Sequence, residues 1–119
     1  MEVAPKPLKP IRWVGSSRKD LKTFSKDVQR EIGQALYAAQ RGEEYASVKS
    51  LKGFGGRSVL EIVAGDAVAT YTVRFQDAIY VLHAFQKKSK KGIATPHKDI
   101  ELIHKRLLDA AQDYKRRQN

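Results

Sequence analysis

The chain has 119 residues, 41% of them hydrophobic and 30% charged, a balance that suits one globular domain and excludes a disordered polyelectrolyte. It contains no cysteine, which excludes disulfides, a thiol nucleophile and Cys-based zinc or iron–sulfur sites. Twenty-three Lys and Arg against thirteen Asp and Glu leave a formal charge of +10, and such an excess on a small domain attracts polyanions, nucleic acid above all.

Residues 1–10 hold three of the four prolines, Pro5, Pro7 and Pro10, and read as an extended arm, because proline removes a backbone donor and turns its predecessor away from helix. Residues 11–119 are expected to form a single domain. Ile11 to Val14 is β-branched and aromatic, a first strand. Ser17 followed by Asp20 resembles a capping box, and Leu21, Phe24, Val28, Ile32, Leu36 and Ala39 recur at helical steps. Ser25 is a point at which this stretch divides, so one helix or a pair is expected, ending at Gly42 as a C′ residue. Residues 43–58 read as a loop.

Three strands follow, Val59 to Ala64, Val68 to Phe75 and Ile79 to Phe85, with turns at Gly65-Asp66 and Gln76-Asp77. Connections this short impose antiparallel pairing. Thr95-Pro96 opens a last helix, which carries Ile100, Ile103, Leu107, Ala111 and Tyr114 on one side. The expected fold class is α+β: a small antiparallel sheet of about four strands, an N-terminal helix or helix pair, and a C-terminal helix. No apolar run approaches the roughly 18 residues of a membrane span, and no apolar leader opens the sequence, so a cytoplasmic protein without membrane contact is expected.

The densest charge is Lys87-Lys88-Ser89-Lys90-Lys91, directly after the last strand, and no acid lies between Asp77 and Asp99. Ammonium groups so close repel one another unless phosphates or counter-ions intervene. Opposite a second basic segment, Lys49, Lys52 and Arg57, this run would complete a groove for a phosphate backbone, with Phe54, Tyr80 and Phe85 as stacking candidates. Gly53-Phe54-Gly55-Gly56 lacks the Lys-Ser/Thr ending of a P-loop. His83, His97 and His104 have no metal-ligand spacing, and no metal or other cofactor is expected. His83, on the strand entering the lysine run, is a candidate for proton transfer near neutral pH.

The order of elements, Trp13-Val14-Gly15-Ser16-Ser17, Lys49-Ser50-Leu51-Lys52-Gly53 and the run HAFQKKSKKGIATP at 83–96 together resemble the phage-derived, HigB-like branch of the RelE/ParE toxin superfamily. The resemblance covers roughly residues 10 to 112. It implies the toxin of a type II toxin–antitoxin pair, neutralised by a helix-turn-helix, HigA-like antitoxin. It further implies a ribosome-dependent mRNA interferase that cuts messenger RNA by acid–base chemistry without a metal. Cleavage of this kind needs a base for the ribose 2′-OH, cations for the phosphorane charge and a donor for the leaving oxygen. On this resemblance Lys49 and Lys52 match one functional segment, and Lys87 and Lys88 the other. The expected catalytic set is Lys52, His83, Lys87 and Lys88. Lys49, Arg57, Arg74, Phe85, Lys90 and Lys91 are expected to hold RNA.

On this resemblance relatives usually carry an arginine where Val63 stands and often a second where Val68 stands, which favours a degenerate, non-catalytic relative as an alternative; a ParE-type gyrase-inhibiting toxin is the other. Arg57 and Arg74 replace those arginines only if their side chains reach the same face.

Overall fold

A computed structural model describes residues 7–46, 48–56, 58–87 and 95–118. Eight elements follow one another: β1 (Ile11–Trp13), α1 (Ser17–Leu21), α2 (Lys26–Gln40), β2 (Val48–Ser50), β3 (Val59–Ala64), β4 (Ala67–Thr72), β5 (Ile79–Gln86) and α3 (His97–Gln118). The sheet has five strands in the order β1-β5-β4-β3-β2. Its β2–β5 portion is antiparallel as expected, whereas β1 runs parallel to β5, with Ile11, Arg12 and Trp13 opposite Ile79, Tyr80 and Val81. Two helices and most of the chain separate these two strands, which is the long crossover that a parallel pair requires. The fifth strand, β2, lies inside the stretch read as a loop.

Period-two alternation assigns the two faces. Leu60, Ile62 and Ala64 of β3, Ala67, Ala69 and Tyr71 of β4, and Ile79 and Val81 of β5 pack under α2, against Ile32, Ala35, Leu36 and Ala39. Val59, Tyr80 and Leu82 lie on the other face, under Ile103, Leu107 and Ala110 of α3. The molecule is therefore a sheet between two helical layers. Full burial of an Ile or Leu such as Ile32, Ile62 or Leu82 contributes about 1.5–3 kcal/mol.

Local signals account for the boundaries. Ser25 caps α2 by accepting from the Val28 N–H at 3.3 Å, which is why α1 and α2 are separate. At the other end Gly42, at φ +79°, donates to Ala39 O while Glu43 donates to Ala38 O, a Schellman closure. Gly65, at φ +63°, takes the first central position of the β3–β4 hairpin, where only glycine is unstrained.

α1 begins differently from expectation. Ser16 makes no side-chain cap; its Oγ donates to Asp20 at 2.8 Å, and buried Ser17 donates to Val81 O. β4 also ends early, at Thr72 rather than Phe75. The Thr72 hydroxyl donates to Ser58 O at 2.6 Å and accepts from the Arg74 N–H, which turns the chain out of the sheet. Of the N-terminal arm, residues 1–6 lie outside the described residues. Lys9 is tied to Gln40 by two hydrogen bonds, and Pro10 accepts from the Ile79 N–H.

Thr70 stands opposite His83 and Tyr71 opposite Val81, so β5 carries one extra residue, Leu82. This bulge turns two successive side chains toward α3: Leu82 joins the apolar cluster and His83 reaches a carboxylate on the helix. Among the described residues no helix is long and apolar enough to cross a membrane.

Candidate nucleic-acid interface

The pairing register sets one row of side chains across four strands: Lys49, Glu61, Thr70 and His83. Its ends are three strand spacings, about 14 Å, apart. One step nearer the β3–β4 turn, Val63, Val68 and Phe85 form a parallel row. Both rows occupy the α3 face, since their neighbours along each strand pack under α2. Three of the expected site residues, Lys49, His83 and Phe85, are thereby brought onto one surface. Lys49 is exposed at its border, Phe85 is half-buried, and Thr70 and His83 are buried. Glu61 introduces an acid between Lys49 and Thr70, and its Oε2 is buried without a hydrogen-bond partner among the described residues.

His83 is only 6% exposed and is held at both ring nitrogens. Arg106 Nη1 lies 3.4 Å from Nδ1, and a guanidinium can only donate, so Nδ1 accepts. The proton then sits on Nε2, which donates to Asp99 Oδ1 at 2.7 Å. Phe85 stacks on the imidazole with centroids 4.9 Å apart. Arg106 also donates to Leu82 O at 3.0 Å and to Ser16 Oγ at 3.1 Å, so one guanidinium ties α3 to β5 and to the start of α1. A Cβ at Gly15 would lie 2.9 Å from that guanidinium. Sequence reasoning missed Asp99 and Arg106. Asp99 stands three residues after Pro96, where an acid is already explained by the helix dipole.

The two basic segments do not meet at Lys52 and Lys87. Leu51 donates to Val59 O, so Lys52 lies beyond the first residue of β3. Lys87 donates its N–H to Asp66 O, level with the turn after the last residue of that strand. The six residues of β3 alone separate these levels by about 20 Å. The expected side-by-side arrangement is therefore not formed by Lys52 and Lys87: Lys49 stands between the ends, and the strand direction carries Lys52 and Lys87 apart. Exposed Arg74 follows β4 and lies at the Lys52 end, away from Val63 and Val68, which pair with each other. Arg57, Lys88, Lys90 and Lys91 lie outside the described residues. The stacking candidates Tyr80 and Phe54 are buried, Phe54 against His104 with ring centroids 4.0 Å apart.

A second charged region, not foreseen in the sequence, lies between β1 and the C-terminal half of α3. Tyr80 donates its hydroxyl to Asp113 at 2.6 Å and accepts from Arg12 at 3.0 Å. Arg117 and Arg116 reach the same carboxylate at 2.8 and 3.2 Å. The Tyr80 hydrogen bond, then that of Arg117, lowers Asp113 to about 2. Burial, then the Asp113 bond, raises the Tyr80 phenol above its ordinary value. Among the described residues no cluster of acids and histidines could hold a metal ion.

The family model described as Phage derived protein Gp49-like matches residues 19–108. No curated protein matches the chain. Among solved structures, a chain of the toxin–antitoxin complex RelBE2 from Mycobacterium tuberculosis is similar at 12% identity and a TM-score of 0.50, over 70% of this chain and 95% of that one. A chain of the RelB–RelE antitoxin–toxin complex from Methanococcus jannaschii is similar at 18% identity and a TM-score of 0.51, over 63% of this chain and 88% of that one. At these identities the likeness is one of fold.

Proposed function

The chain belongs to the phage-derived Gp49-like family and has a RelE-like α+β fold, and from that premise we propose that it is the toxin of a type II toxin–antitoxin pair. In this reading a helix-turn-helix, HigA-like antitoxin neutralises it, and its target is messenger RNA on the ribosome. It acts as a HigB-like mRNA interferase, working by acid–base chemistry without a metal.

The observation that carries the reading is the border of the α3 face, where exposed Lys49 and half-buried Phe85 flank the row through Glu61, Thr70 and His83. A cation and a ring on one surface suit a single strand of RNA, whose phosphates need charge and whose bases need a stacking partner. Lys49 lies closest to such a strand. Lys87 enters from the turn end, Lys52 and Arg74 from the other; Lys88 is assigned to cleavage with Lys87, and Arg57, Lys90 and Lys91 to phosphate contacts. Cleavage is assigned to the lysines, since His83 is occupied at both nitrogens. Its part is to position Phe85 and α3.

A second reading, a relative that binds but does not cut, is favoured by the Val63–Val68 pair, which puts two apolar side chains where the resemblance expects arginines. Primer extension on messenger RNA after induced expression separates the two. Codon-phased cuts that diminish in Lys49→Ala and Lys87→Ala support the interferase. Intact messenger with growth arrest and a DNA-damage response points to gyrase. Intact messenger with unaffected growth leaves the non-catalytic relative.

A further inference from the structure

β1 is an edge strand, with β5 as its one neighbour in the sheet. Pro10 O and the Val14 N–H are both bonded to β5. In a parallel ladder alternate residues face the neighbour, so the N–H and C=O groups of Ile11 and Trp13 turn outward. Among the described residues no backbone group is bonded to them there. This outward edge is the kind that an extended segment can extend by another strand.

Beside it lies a cleft of about 630 Å³. Arg12 and Tyr80 of the sheet, Asp113 and Arg117 of α3, Gly15 before α1 and Arg18 within it all line it. Four arginines and two aspartates line it. Both carboxylates are engaged, Asp113 by Tyr80, Arg116 and Arg117, and Asp109 by Lys105 at 3.6 Å. Arg12 directs its guanidinium to the Tyr80 hydroxyl and lies over that ring at 5.6 Å, with no carboxylate partner among the described residues. Exposed Arg18 has no ion pair among them either. Two guanidinium groups without acids thus flank a strand edge with unmet backbone groups.

We infer that this cleft docks an extended acidic peptide, which adds a strand to the outer edge of β1 and sets alternate carboxylates against Arg12 and Arg18. Side chains two residues apart on an added strand share a face at a spacing of about 7 Å, so the fitting segment carries Asp or Glu at every second position. The aspartates lining the cleft argue for a peptide over a nucleic acid. A continuous phosphate backbone would meet them, whereas a peptide presents its charges only where arginines stand. β1 is at the far side of the sheet from β2 and Lys49, so the inference holds whether or not the protein cleaves RNA.

The test uses the full chain and a fluorescein-labelled octapeptide of alternating Glu and Val. Its Lys-for-Glu counterpart is the control, and an oligouridine RNA is the competitor. Anisotropy is expected to show the acidic peptide binding at least about ten-fold more tightly than the basic one, and Arg18→Glu is expected to remove at least that factor. The amides of Ile11 and Trp13 gain protection from hydrogen exchange when the peptide is bound. Binding indifferent to Arg18→Glu, unprotected Ile11 and Trp13 amides, or displacement of the peptide by the RNA with equal affinity each overturns the inference. Lys49→Ala leaves peptide binding intact, which keeps this outcome apart from that of the RNA-cleavage assay.

Discussion

Asp99 accepts the Nε2 proton of His83 at 2.7 Å, joining the first turn of α3 to the last strand of the sheet. Both side chains are buried, so the pair is a structural joint. Replacing Asp99 by Leu strands a buried donor and is expected to cost about 1–3 kcal/mol, read as a lower urea midpoint at constant m-value. Asp99→Asn retains an accepting oxygen and is expected to lose less. Equal losses for the two variants would mean that packing, and not the hydrogen bond, holds the joint.

Two glycines give opposite expectations. Gly15 sits at φ +56° with the Arg106 guanidinium 2.9 Å from the position of a Cβ, so Gly15→Ala is expected to destabilise by more than about 1 kcal/mol. Gly33 lies inside α2 with nothing within 4 Å, so Gly33→Ala is expected to stabilise by about 0.5–1 kcal/mol. Thermal unfolding of the pair checks both signs.

The Asp113 carboxyl is held near 2 in the folded chain against 3.8 unfolded. A lowered acid stabilises the fold fully above its unfolded value, and that contribution fades as the pH falls through the folded one. Stability is therefore expected to decline between pH 4 and pH 2 in part through this group. Asp113→Asn should flatten that part of the profile, measured as the acid dependence of the urea midpoint.

Lys49 and Lys52 differ in place. Lys49 stands in the row with Thr70 and His83, and Lys52 lies past the start of β3. For binding to a short single-stranded RNA, Lys49→Ala is expected to lower the slope of log K against log salt by about 0.7, one phosphate contact. Lys52→Ala should change the slope less. Fluorescence titration at several salt concentrations measures both.

Much of this architecture was legible before the structure. Helical spacing from Leu21 to Ala39, the division at Ser25, Gly42, the Gly65-Asp66 turn and Thr95-Pro96 are local signals, and each element formed where its signal lies. β2 was not legible, because Val48-Lys49-Ser50 offers one apolar residue in three and becomes a strand only by pairing with β3. The separation of Lys52 from Lys87 was also hidden, because register and strand direction decide it. That Lys49 and Phe85 share a face depends on the same pairing of β2 with β3, and the Arg12–Tyr80–Asp113 group joins three elements that carry no common pattern in sequence.

The parallel seat of Ile11–Trp13 beside Ile79–Val81 has a consequence for synthesis. β1 is the strand that waits longest, since its sheet neighbour among the described residues leaves the ribosome almost seventy residues later, at a separation of 68. Until then Trp13 and its flanking side chains have no strand beside them. A nascent chain stalled before Ile79 is thus expected to expose this segment to chaperones, while one released after Val81 can close the border at once.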